Sequence, residues 1–211
     1  MFKANFYIKK IIFLGFFYLS FFTILSAQEV FDLKAKLGRC STCHSMSGNS
    51  SNSIWPKLAG QHKDYLLKQL LEYNKGKSGN RFNPTMYVML QNLTENDMHQ
   101  LSDYYSKKTI EKSWIKKDRK KIEVGRHIYF FGNKENNVPA CVGCHGIDGS
   151  GNKLANFPSL KWQHRDYLLT QLKNFKLSTR SNDVNGVMRS IASSMSNQDM
   201  ESVSMYLALM N

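Results

Sequence analysis

Four cysteines are the chain's whole complement. They fall in two close pairs, Cys40/Cys43 and Cys141/Cys144, each followed at once by a histidine, His44 and His145. Two thiols three positions apart on a helical turn can reach two vinyl groups on one porphyrin edge, and the adjacent imidazole can then meet iron from one side. Other chemistries also use paired cysteines. Tetrahedral zinc needs two more ligands, usually from a second CxxC or an HxxxH, and neither accompanies these pairs. A thioredoxin-like dithiol belongs in a βαβ context, which the sequence lacks. Disulfides would leave the histidine after each pair without a reason. C-x-x-C-H is the attachment signature of a c-type haem. The reading is therefore two covalently bound c-type haems, held by Cys40, Cys43, Cys141 and Cys144, with His44 and His145 as iron ligands.

An iron that only carries electrons needs a sixth ligand. Met86 and Met188 follow the two histidines at nearly equal distance and are placed in loops before the last helix of each half. His/Met ligation is one cytochrome c pattern and raises the reduction potential. Met89, Met98, Met195 and Met200 read instead as core filler. His62 and His164 recur just before a helix and read as surface or cap residues, with His/His ligation the minor alternative. Pro56 and Pro158 each follow a haem-attachment loop. A prolyl carbonyl can accept the second N–H of the axial histidine and so orient it.

These residues sit in an internal repeat. WPKLAGQHKDYLLKQLLEY at 55–73 returns as FPSLKWQHRDYLLTQLKNF at 157–175, and LTENDM at 93–98 as MSNQDM at 195–200. Repetition over most of each half means a duplicated domain. DYLLKQLLEY and DYLLTQLKNF space their apolar residues as helices do. Thr94 and Ser196 are N-caps with Asp97 and Asp199 three residues on. No strand pattern is evident, so the fold class is all-α, two tandem domains each wrapped around a haem. Domains this small gain little from apolar burial alone, and a covalent cofactor supplies the missing core.

The termini and charge set the compartment. Lys3, Lys9 and Lys10 precede an apolar run, Ile11 to Leu25, and a small-residue cut site at Ser26-Ala27. Residues 1–27 read as a secretory signal peptide, with a retained anchor the alternative, since the run is shorter than the ~20 residues that span a bilayer. Residues 28–111 form domain 1 and 122–211 domain 2. Of the formal charge of +13, much lies in residues 112–121, which hold six basic residues and one acidic. Charge confined to one such segment reads as a solvated linker and argues against a nucleic-acid partner.

In this order the motifs CSTCH, WPKLAGQHKDYLLKQL, Arg81, Met86 and LTENDMHQLSDYY, then CVGCHGIDGSGN, FPSLKWQHRDYLLTQL, Arg180 and VMRSIASSMSNQDM, resemble the dihaem cytochrome c4 family over nearly all of residues 30–211. The resemblance implies two class I cytochrome c folds with His/Met haems whose propionate edges meet near the domain interface. It also implies a periplasmic protein, soluble or peripherally associated with the membrane, that passes electrons between respiratory complexes such as a quinol–cytochrome c reductase and a terminal oxidase. Two departures stand out. Ser45 follows His44 where the family usually has glycine, and Leu160-Lys161-Trp162 replaces the Leu-Ala-Gly of 58–60.

The expected function is electron transfer without substrate chemistry. Two rivals differ in class: a haem subunit of a flavocytochrome sulfide dehydrogenase-like complex, and a dihaem enzyme of peroxidase or thiosulfate-oxidising type. Peroxidase chemistry needs an exchangeable iron position, and a thiosulfate-oxidising variant with a cysteine ligand needs a spare cysteine. The haem motifs use all four.

Overall fold

The structure, a computed structural model, describes residues 33–210; the expected leader at 1–27 lies outside them. The described residues form helices and loops, with only isolated β-bridges. The first half holds α1 (residues 33–44), α2 (Lys63–Asn74), α3 (Pro84–Leu90) and α4 (Glu95–Ser106). The second half holds α5 (Arg119–Phe131), α6 (Val142–His145), α7 (Arg165–Lys176), α8 (Val187–Ser194) and α9 (Asn197–Leu209). No helix among the described residues is long and apolar enough to cross a membrane.

Local chemistry sets the helix ends. Thr94 and Ser196 each form a capping box with Asp97 and Asp199, as their spacing predicts. Asp118 caps α5, so that helix begins inside the basic segment 112–121. The approach to the haem motif differs between halves. Helix α1 runs unbroken into Cys40, whereas α5 ends at Gly132 (φ 77°), and a hairpin with paired Asn133 and Val138 backbones leads to Cys141. Only glycine fits at 132, because a Cβ there would lie 2.2 Å from the Val138 carbonyl.

Each half packs its final helix against its first. In the second half α5 and α9 touch through backbone at Gly125, where a Cβ would lie 2.0 Å from the Ser202 carbonyl. Ile128, Met200, Val203 and Leu207 fill the surrounding core. In the first half Leu37, Leu66, Leu101 and Tyr105 form the smaller counterpart.

The halves meet reciprocally. The Gln163 side chain accepts from Lys57 N and donates to Lys57 O, both at 2.8 Å. Gln61 does the same to Ser159 N and O, both at 2.9 Å. Lys57 and Ser159 occupy the same place in the repeat, so one contact appears twice with the halves exchanged, as at an interface with two-fold symmetry.

Candidate haem sites

The last turn of α1 carries Cys40, Cys43 and His44 side by side, and the short α6 brings Cys141, Cys144 and His145 together in the second half. His44 is buried, with Nδ1 2.9 Å from the Pro56 carbonyl; His145 is buried with Nδ1 3.0 Å from the Pro158 carbonyl. A carbonyl can only accept, so the proton resides on Nδ1 in both rings and the Nε2 lone pair is left to bind a metal. Burial pushes both imidazoles below their ordinary pKa, with the prolyl carbonyls opposing, so both rings are neutral as ligation requires.

All four thiols are unpaired. Burial raises the pKa of Cys40, and it pushes Cys141 up to about 11. At Cys40 burial outweighs the neighbouring Arg39, so neither thiol has the depressed pKa of a reactive thiolate. Among the described residues no group of three or more His, Cys, Asp or Glu side chains could hold a metal ion by itself. Two unpaired thiols beside a buried imidazole with a fixed tautomer, present twice, fit a c-type haem in each half.

The structure corrects the expected setting of the two methionines. Met86 and Met188 lie not in loops but in the first turns of α3 and α8. Asn83 starts α3 by accepting from Met86 N at 3.0 Å, with Pro84 at the first helical position. Gly186 (φ 70°) starts α8. Both methionines are half-buried, in contrast to Met98, Met195 and Met200, which are fully buried as the core-filler reading has it. Met89 is half-buried, with its carbonyl accepting from Arg39.

His62 and His164 do precede helices, but neither side chain caps one, and both are buried rather than on the surface. They belong to the interface. His164 Nε2 donates to the Ser50 carbonyl of the first half at 2.8 Å, and His62 faces the Ser150 backbone of the second half. Arg81 and Arg180, which no local motif in the sequence marks, are 4% and 6% exposed at the same interface. Their signal is recurrence after the matching helices α2 and α7.

The family model described as Cytochrome c matches residues 25–108 and again 125–210. A protein named cytochrome c4 from Thiocapsa roseopersicina is 41% identical over 171 residues, 81% of this chain and 86% of that protein. A protein named thiosulfate dehydrogenase electron acceptor from Stutzerimonas stutzeri (strain A1501) is 33% identical, covering 80% of this chain and 77% of that one. The crystal structure of reduced recombinant cytochrome c4 from Pseudomonas stutzeri superposes with a TM-score of 0.80 at 34% identity, over 85% of this chain and 97% of that one.

Proposed function

The chain belongs to the cytochrome c4 family of dihaem electron carriers, and on that basis we propose that it shuttles electrons in the periplasm between membrane respiratory complexes, from a quinol–cytochrome c reductase toward a terminal oxidase. It carries two covalently attached c-type haems and is an electron carrier, not an enzyme. Each haem supplies a one-electron ferric/ferrous couple.

In this proposal Cys40, Cys43, Cys141 and Cys144 would hold the two haems, and His44, His145, Met86 and Met188 would supply the ligands to iron. The Pro56 and Pro158 carbonyls keep each imidazole in one orientation and one tautomer, so a change of iron charge need not move the ring. The observation that carries the reading is the reciprocal interface. The Gln61 and Gln163 contacts join two haem domains into one body, which offers a relay from an entry face to an exit face.

The test mixes reduced protein with oxidase-containing membranes and follows haem oxidation across a salt series. Oxidation far faster than in buffer, slowing with salt, is expected. Oxidation no faster than in buffer would overturn the oxidase assignment. The relative named thiosulfate dehydrogenase electron acceptor supports a second donor, a thiosulfate dehydrogenase, tested by haem reduction in the presence of such an enzyme and thiosulfate.

A further inference from the structure

Between α4 and α5 the chain runs without helix over residues 109–118, and the first part of this strap is fastened to both halves. Asn49 accepts from Glu111 N and donates to the Thr109 carbonyl, both at 2.9 Å. The Lys57 ammonium donates to the Glu111 carbonyl (2.6 Å) and to the buried Ser113 hydroxyl (3.1 Å), which in turn donates to the Trp162 carbonyl of the second half (3.0 Å). The far end is fixed at Asp118, whose carboxylate accepts from Lys121 N at 3.1 Å and starts α5. Residues 114–117 are thus held out between two anchors.

Trp114 is 97% exposed, and between Val88 and Phe131 it is the one large apolar side chain left uncovered. Single exposed apolar residues are ordinary on a protein surface. This one differs in its company. Lys116, Lys117, Arg119 and Lys120 are exposed close by in the chain, and none of them takes part in an ion pair among the described residues. Against these four cations stands one carboxylate, Asp118, while Lys121 is spent on Glu201 at 2.6 Å. Exposed Glu111 and Glu123 bound the basic stretch on either side.

An indole has an apolar body and one N–H, and it is favoured at the level where a bilayer's apolar core meets its wet headgroups. Lysine and arginine beside it add attraction to a negatively charged lipid surface, roughly five-fold in affinity for each. A protein partner fits less well. Protein interfaces enrich arginine and are depleted in lysine, and three of these four cations are lysines. A protein hot spot also sits inside a ring of further contacts that exclude water, and this stretch has no second exposed apolar side chain to build one. A fluid lipid surface closes around a single protruding side chain.

We propose that the strap docks the protein on a bilayer surface rich in anionic lipid, with the Trp114 indole seated at headgroup level and Lys116, Lys117, Arg119 and Lys120 drawn to the lipid phosphates. The attachment is peripheral and reversible, because one indole and a few cations bind far more weakly than a spanning helix. Ser113 joins the base of the strap to both halves, so docking there holds the whole protein, not one domain, at the surface. The surface is independent of which complexes exchange electrons with the protein, so the inference goes beyond the proposed shuttle and can fail separately from it.

The test uses the full protein with both haems attached and follows its co-sedimentation with vesicles by haem absorbance. The vesicles are phosphatidylcholine alone or a mixture of phosphatidylcholine and phosphatidylglycerol. Binding is expected to the mixed vesicles, weakening as salt rises, with little binding to phosphatidylcholine alone. Trp114→Ala should weaken it about ten-fold, and the pair Lys116→Gln and Lys117→Gln about 25-fold. The pair Lys34→Gln and Lys134→Gln removes the same charge from exposed positions outside the strap and should leave binding near wild type. Equal binding to both kinds of vesicle, or an equal loss in the two lysine pairs, would overturn the proposal. So would vesicle binding unchanged in Trp114→Ala together with slower reaction with a detergent-solubilised oxidase, the mark of a protein-binding strap. Failure of the shuttle reading looks different: no oxidation by oxidase-containing membranes, with vesicle binding intact.

Discussion

Trp162 occupies at φ 58° the left-handed backbone position that Gly60 holds at φ 67° in the first half. The two backbones make the same bond, Gly60 N to Tyr105 O at 3.1 Å and Trp162 N to Leu207 O at 3.0 Å. A left-handed conformation costs a residue with a Cβ about 1–2 kcal/mol. The indole offsets that cost. Its N–H donates to the Met210 carbonyl, and the Lys161 and Lys112 ammonium groups lie 4.7 and 5.4 Å from the ring. The unusual tripeptide at 160–162 is thus a substitution in which side-chain contacts outweigh backbone strain.

Ser45 sits at φ 61° after His44 without such compensation, since its hydroxyl contacts only the exposed Ser47. Opposite results follow from the same backbone logic. Ser45→Gly is expected to raise stability by up to ~1 kcal/mol, the relief of strain less the entropy of a new glycine. Trp162→Gly is expected to lower it by about 2 kcal/mol, because truncating a packed aromatic costs more than the strain relieves. Chemical denaturation followed by circular dichroism measures both; equal signs would refute the account.

The interface glutamines lead to a second expectation. Gln61→Ala and Gln163→Ala each remove two hydrogen bonds across the interface, stranding a backbone N–H and C=O of the opposite half, and a third to the N–H of His62 or His164 in their own half. A cost of about 2–3 kcal/mol is expected for each. The loss falls on the contact between halves, so calorimetry should show one unfolding transition becoming two in the double variant. A single sharp transition there would mean that other contacts join the halves.

Much of this architecture is legible in the sequence, for definable reasons. The repeat exposes CxxCH, the prolines and the capping boxes, all local signals spanning a few residues, and the Pro56–His44 and Pro158–His145 contacts follow from chemistry within a single loop. The helical setting of Met86 was legible too, since Asn83-Pro84 is a helix start, but a short helix leaves too few residues for a periodic pattern. The interface was not legible. Nothing local marks Gln61, Tyr65, Gln69 and Arg81 as interface residues, because only the approach of a half about a hundred residues away pairs and buries them. His62 and His164 were misplaced for the same reason.

Acid stability provides a third test. Burial would raise Asp97 and Asp199, but hydrogen bonds outweigh it and hold both below the ordinary carboxylate pKa. The donors are Lys36 and Thr94 in the first half, and Ser196, Asn133 and Asn136 in the second. A depressed folded pKa means the stabilisation is fully present above the unfolded value of about 3.9 and is lost as pH falls through the folded value. Unfolding free energy should therefore fall below about pH 4. Asp199→Asn should flatten that fall while costing about 1 kcal/mol at pH 7 through the lost cap. Urea titrations from pH 7 to 3 check it, and an unchanged acid slope in the variant would show that Asp199 is not responsible.

The axial methionines give the last prediction. Met86 and Met188 are half-buried in the first turns of matching short helices, each downstream of an interface arginine, while Met98, Met195 and Met200 are consumed by the core. As sixth ligands their thioethers would favour ferrous iron. Imidazole favours the ferric state more, so Met86→His is expected to keep its iron low-spin while lowering one midpoint potential and leaving the other near wild type. The sulfur-to-iron charge-transfer absorption of the oxidised protein should fall by about half, because one of two such bonds is gone. Met188→His should do the same at the other haem, and the double variant should lose the band. Met89→His, also half-buried and only three residues from Met86, is the control and should change neither midpoint. Unchanged midpoints and an undiminished band in Met86→His would show that Met86 does not bind iron, and the same outcome at position 188 would remove Met188.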